Sequence, residues 1–330
     1  MRYLAIALLA IFSVFLSQAA AQSLLVLNKT ESTLAVIDPT TLAVTARIPT
    51  GEGPHEVIAS ADGKLAFVCN YGTAKTPGNS LSVIDLAAKK ELRRVDLGGF
   101  YRPHGIIEAD GKVYFTSELS RTVARYDPVA NKIDWVMGTG QSISHMLVMT
   151  PDKKHIYTAN IYSDTVTGIS LVGPPLPQNI VQIAVGRQPE GIDVSPDGTE
   201  VWVGHNADGG ISIIDTATSK VKEVLKLAQM PIRLKFTPDG SKVLISDPKA
   251  GEFIVIDAKT RKEIKRLKAE GTPAGIQLQP DGKRAFVARE GAGNVGVFDL
   301  EKMEFVATIN PGEGPDGMAW APAISGDRNK

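Results

Sequence analysis

A chain of 330 residues with 43% hydrophobic and 22% charged residues has the make-up of ordinary globular material and is long enough for a large core. Lysine plus arginine and aspartate plus glutamate stand at 36 each, so no bulk field draws the protein to nucleic acid or to an acidic membrane. The single cysteine, Cys69, excludes an internal disulfide framework, an attached c-type heme and any site built from several thiolates.

The chain opens with Met1-Arg2, an apolar run from Leu4 to Leu16, and the small residues Ala19-Ala20-Ala21. That order reads as a secretory signal peptide over residues 1–21, cut before Gln22. The run is too short for a membrane span, which needs about 20 apolar residues. No cysteine follows the cleavage region to carry a lipid. The expectation is a periplasmic or secreted protein with no membrane insertion once the signal is removed.

Beyond the signal the chain is a succession of short strands. Leu24 to Asn28, Thr33 to Asp38 and Ala43 to Pro49 come first. Gly53-Pro54-His55-Glu56-Val57 then begins a run that turns at Ala61-Asp62-Gly63 and returns as Leu65 to Asn70. The same marker recurs as Arg102-Pro103-His104-Gly105-Ile106, Ile143-Ser144-His145-Met146-Leu147 and Gln188-Pro189-Glu190-Gly191-Ile192. It returns again as Met230-Pro231-Ile232-Arg233-Leu234, Thr272-Pro273-Ala274-Gly275-Ile276 and Gly314-Pro315-Asp316-Gly317-Met318. The period is about 42 residues, the mark of a repeat architecture. Each unit reads as a marker strand, an Asp-Gly turn, a second strand, a third ending in aspartate, such as Ile211-Ser212-Ile213-Ile214-Asp215, and a basic fourth. Alternation of period two runs throughout, and no stretch sustains helical periodicity.

Four short antiparallel strands per unit make a propeller blade. The N-terminus supplies three strands without a leader, and the C-terminus a leader, Asp316 to Ala321, without followers. Joined, they complete a seventh blade, so the prediction is an all-β, seven-bladed propeller over residues 22–323 with a polar tail at 324–330. The Gly173-Pro174-Pro175-Leu176-Pro177 insert reads as a stiff loop, and Tyr71 to Asn79 as a long loop suited to a lid. Gly291-Ala292-Gly293-Asn294-Val295-Gly296 matches a dinucleotide fingerprint in letters, but it joins two strands with no helix to receive a phosphate.

Tyr157-Thr158-Ala159-Asn160, Phe67-Val68-Cys69-Asn70 and the Pro-x-Gly-Ile markers resemble the YVTN family of β-propellers across essentially the whole mature chain. The resemblance implies the propeller fold. It leaves function open, because similar propellers include lactonases, a streptogramin lyase and heme-associated domains.

In such a ring the marker strands lie innermost. Counting strand directions places His55, His104, His145, Glu190, Arg233, Ala274 and Asp316 around one mouth of the channel. The ends of the second strands, Asn28, Asn70, Glu118, Asn160, His205, Asp247 and Arg289, surround them. Three of the five histidines fall at marker positions, and imidazoles on adjacent inner strands can converge on one ion. Three histidines with a carboxylate or water suit zinc, copper, iron or nickel, with Glu190 the fourth ligand or a general base. The alternative is a set of solvated side chains at a water-filled opening.

The expected activity is that of a metal-dependent hydrolase or lyase of lactonase-like kind. His55, His104, His145 and Glu190 hold the ion, Glu190 or Asp316 handles the proton, and Arg233 orients a small, anionic ligand. Asn70, Glu118, Asn160, His205, Asp247 and Arg289 contact the substrate. Two alternatives stay open: a non-catalytic propeller that binds a ligand or another periplasmic protein, and an accessory that holds a cofactor or transfers electrons.

Overall fold

The computed structural model describes residues 22–324 apart from 175, 177 and 178. The expected signal peptide, residues 325–330 of the tail and part of the proline-rich insert therefore lie outside the described residues. Among the described residues twenty-eight strands, β1 to β28 in chain order, form seven four-stranded antiparallel sheets. Six sheets take four consecutive strands each. The seventh joins β28 (Pro315–Ala321) to β1 (Ser23–Asn28), β2 (Thr33–Ile37) and β3 (Val44–Pro49). In that blade Leu24 pairs with Trp320, Leu25 with Ala319 and Val26 with Met318, so the two ends of the described chain close the ring. This is the predicted seven-bladed propeller.

Burial follows from position. The second strand of each blade is covered on both faces by neighbouring blades and reads as a continuous buried run, as in β1 and in β17 (Glu200–His205). Outer strands such as β7 (Lys90–Asp96) alternate between half-buried and exposed residues. The apolar clusters lie between blades: Trp202 packs edge-on against Phe236 at 5.4 Å between ring centroids, and Phe253 against Phe298 at 4.9 Å. Cys69 is fully buried among such residues, and burial pushes its thiol well above the usual range.

The innermost strands crowd one another, which explains the glycine two places after the marker proline. A Cβ on Gly105 or Gly191 would stand 2.8 Å from backbone atoms of the next blade, and one on Gly275 or Gly317 2.1 Å from a carbonyl oxygen. Three blades depart from glycine there, with Glu56, Met146 and Arg233. Their side chains meet across the channel: Arg233 pairs with Glu56 at 2.7 Å and donates toward the Met146 sulfur at 3.0 Å.

The segment from Tyr71 to Asn79 is not the loose loop its length implied. Strands β5 (Leu65–Gly72) and β6 (Pro77–Asp85) extend through it with Gly72 opposite Pro77, leaving only residues 73–76 as a turn. Arg102 ties this hairpin to the next blade, its backbone N–H donating to Gly78 O (2.7 Å) and its guanidinium to Thr73 O (3.1 Å).

Candidate functional site: a histidine cluster at one channel mouth

The first strands that carry the site are β4 (Pro54–Ala59), β8 (Pro103–Ala109), β12 (Ser144–Met149) and β16 (Pro189–Val194), together with β28. Each slips register by one residue directly after its first pair, for example Pro54 with Asn70 and then Glu56 with Cys69. Such a bulge leaves a residue outside the ladder and re-aims its side chain. His55, His104, His145, Glu190 and Asp316 sit at these slips. Ile143, just before the third, adopts φ 56°, a strained conformation for a β-branched residue.

Three imidazoles from three adjacent blades form an arc. The ring centroids of His104 and His145 are 3.7 Å apart, and those of His55 and His104 4.7 Å. His55 Nδ1 lies 3.0 Å from Asp316 Oδ2, and Lys29 reaches the same oxygen at 3.3 Å. Burial opposes ionisation of Asp316, but the bond from His55 and the nearby cations hold its carboxyl well below the usual carboxylate range. Glu118, immediately after β9 (Lys112–Ser117) and 2% exposed, accepts a hydrogen bond from the Tyr71 hydroxyl at 2.5 Å and shares a short bond with His145 Nδ1. His145 Nε2 lies 3.6 Å from Glu190, whose second oxygen accepts from Asn206.

His104 and His145 differ in charge. Burial, reinforced by His145, His55 and Arg233, pushes His104 well below the usual imidazole value, so it is neutral, and its Nδ1 has no partner. Burial acts in the same direction on His145, yet Glu118 and Glu190 outweigh it and raise its pKa to about 10. A group raised above its unfolded value of 6.5 contributes stability that is complete below that pH and is lost as pH rises through about 10. In metal-free protein the wild type is therefore expected to lose stability between these limits. His145→Gln should lack that slope, as urea midpoints across the pH range would show.

The second-strand ends divide. Glu118 joins the cluster; the others are engaged within the sheet framework. Asn70 accepts from Gly51 N–H and donates to Ser80 and Ser82. Asn160 bonds Ser144, Thr165 and Thr167, and Asp247 receives the N–H groups of Gln229, Met230 and Ala250. His205 accepts from Gly186 N–H and contacts Asp208 at 3.1 Å. Arg289 lies over the Phe305 ring at 4.1 Å and reaches Glu270 at 3.4 Å.

Arg233 departs most from its expected place. It pairs in register with Ser246, with no slip recorded in that ladder. Counted from the proline, Ile232 matches the histidines and Arg233 falls one position deeper, beside Glu56. A basin of about 510 Å³ at the mouth is bounded by Lys29, Glu52, His55, Tyr71 and Arg102. A funnel of about 370 Å³ is bounded by Glu56, Met146 and Arg233 together with later residues of the inner strands. The three departures from glycine were the sequence signal for the Glu56–Met146–Arg233 crosspiece.

Residues 178–279 match the model of the cytochrome D1 heme domain, a segment that carries Glu190 and Arg233 but none of the three clustered histidines. Solved structures share the fold. Hydrazine synthase of Kuenenia stuttgartiensis aligns with TM-score 0.74 and 20% identity over 84% of this chain and 92% of that one. A candidate 6-phosphogluconolactonase of Bacteroides uniformis aligns with TM-score 0.76 and 14% identity over 92% and 100%. Dihydro-heme d1 dehydrogenase NirN in complex with DHE aligns with TM-score 0.63 and 16% identity over 92% and 75%. At these identities the likeness is one of fold. No curated protein matches the chain, and no helix among the described residues is long and apolar enough to cross a membrane.

Proposed function

We propose that this is an exported propeller of YVTN type whose histidine mouth binds a divalent transition metal and a small molecule, acting as a hydrolase or lyase. The observation that carries this reading is the meeting of three imidazoles and three carboxylates, Glu118, Glu190 and Asp316, at one channel mouth, where His55 also borders a basin. The donor set fits such an ion: ligand atoms of His104, Glu118 and His145 lie within 4.8 Å of one another, and His104 is neutral with a nitrogen left unpartnered. When bound, the ion supplies Lewis-acid polarisation of a carbonyl or a water of lowered pKa. His55, oriented through Nδ1 by Asp316, is placed at the basin to accept and return a proton. Arg102, over the Tyr71 ring at 4.6 Å, and Lys29 flank the basin and orient an anionic ligand, the part expected of Arg233.

Metal analysis of protein purified from its exported form tests the reading, beside a His55/His104/His145 triple alanine variant. Near-stoichiometric metal in the wild type, lost from a variant with an unchanged circular dichroism spectrum, is the expected result. Metal-free wild type that still binds small molecules would overturn it in favour of a purely binding propeller.

A second reading, a heme-type cofactor holder, draws on the cytochrome D1 heme domain match and on NirN. The fit is poorer: only one of the three imidazoles, His55, borders the basin, whose other boundaries include Thr30, Ser32, Glu52 and Thr73 rather than a broad apolar slot. A Soret band in protein as purified would establish this second reading.

A further inference from the structure

The geometry points to a three-ligand metal centre formed by His104, His145 and Glu118, with His55 and Glu190 outside the coordination sphere. This deepens the proposed function and rests on its claim that the mouth binds a metal. Two imidazoles and one carboxylate are a recognised set for catalytic divalent first-row ions, zinc or iron among them, and they leave coordination positions for water and substrate.

Four observations assign the roles. Among the described residues, these three alone form a compact His/Cys/Asp/Glu cluster, with ligand atoms within 4.8 Å of one another. His104 is 2% exposed and its Nδ1 is unpartnered, a buried polar atom that lacks the bond burial demands. Glu118 and His145 Nδ1 already share one short bond, so an ion would take the place of the proton that joins them. The outer partners have the arrangement that metal sites use to fix their ligands. Glu190 stands at the opposite nitrogen of His145, and the Tyr71 hydroxyl holds the other oxygen of Glu118. His55 has its own carboxylate, Asp316, 3.0 Å away.

The test titrates the metal-free mature chain with Co(II) alone and follows its visible absorption. The wild type is expected to bind one Co(II). His104→Ala, His145→Ala and Glu118→Gln should each weaken binding at least about 100-fold, and Tyr71→Phe by about 10-fold, as expected for loss of a ligand or of its orienting partner. His55→Ala should remain within about threefold of the wild type. Thermal unfolding of each variant, with Glu118→Gln as the near-isosteric one, separates loss of the site from loss of the fold. If His55→Ala abolishes binding while Glu118→Gln retains it, this assignment fails and a three-histidine site stands. If the wild type binds no Co(II), the assignment falls together with the metal-dependent function.

Discussion

Replacing Glu56 by alanine is expected to lower the unfolding free energy by about 3–5 kcal/mol, the cost of leaving a buried charge without its partner. Glu56 and Arg233 are each 8% exposed, and their 2.7 Å contact spans the channel between the first and fifth blades after β1 to β3. Burial works against the guanidinium charge, and Glu56, Asp316 and Glu190 in that order sustain it. Without Glu56 the charge remains, and its nearest carboxylate is gone. A double variant, Glu56→Leu with Arg233→Met, should recover most of the loss, because an apolar pair of similar size carries no desolvation penalty. Urea denaturation of the two single variants, the double variant and the wild type gives the coupling directly. A single variant within about 0.5 kcal/mol of the wild type would show that water already solvates this pair.

Deleting residues 315–330 should abolish cooperative folding. The cut removes β28, the innermost strand of the closing blade, and exposes Leu24, Leu25 and Val26, all fully buried. It also turns β1 into an open edge with unpaired backbone groups, a template for association. The neighbouring blade suffers too, since Gly63, at φ 71°, is held under the carbonyl of Pro322, 2.3 Å from where a Cβ would stand. Far-ultraviolet circular dichroism and gel filtration would report a loss of structure with soluble aggregate. A monomeric product with a native-like transition would mean that six blades hold the ring without closure.

The architecture was legible because the repeat writes the same physics round the ring: apolar alternation, an Asp-Gly turn in five of the blades and a tight marker that only a crowded inner strand needs. The histidine arc was legible for a related reason, since a bulge at the start of the inner strand, present in six of the seven blades, aims the same marker position into the channel. Arg233 was misplaced because it stands two residues after Pro231, the position of Glu56 and Met146, whereas Ile232 holds the position of the histidines. The asparagines were ambiguous, because a buried amide at a strand end serves backbone and hydroxyl groups as readily as a ligand. Glu118 stood out only as a replacement for asparagine. Its bond to Tyr71 depends on a hairpin from the preceding blade, a tertiary relation that no local pattern encodes.

The crosspiece beneath the histidines also bears on access. With Glu56 and Arg233 paired across the axis and Met146 against the guanidinium, side chains occupy the waist between the histidine arc and the funnel at the other end. If the mouth is catalytic as proposed, substrate and product are expected to use the histidine side alone and to compete for the same threshold. Turnover would then be governed by departure as much as by chemistry.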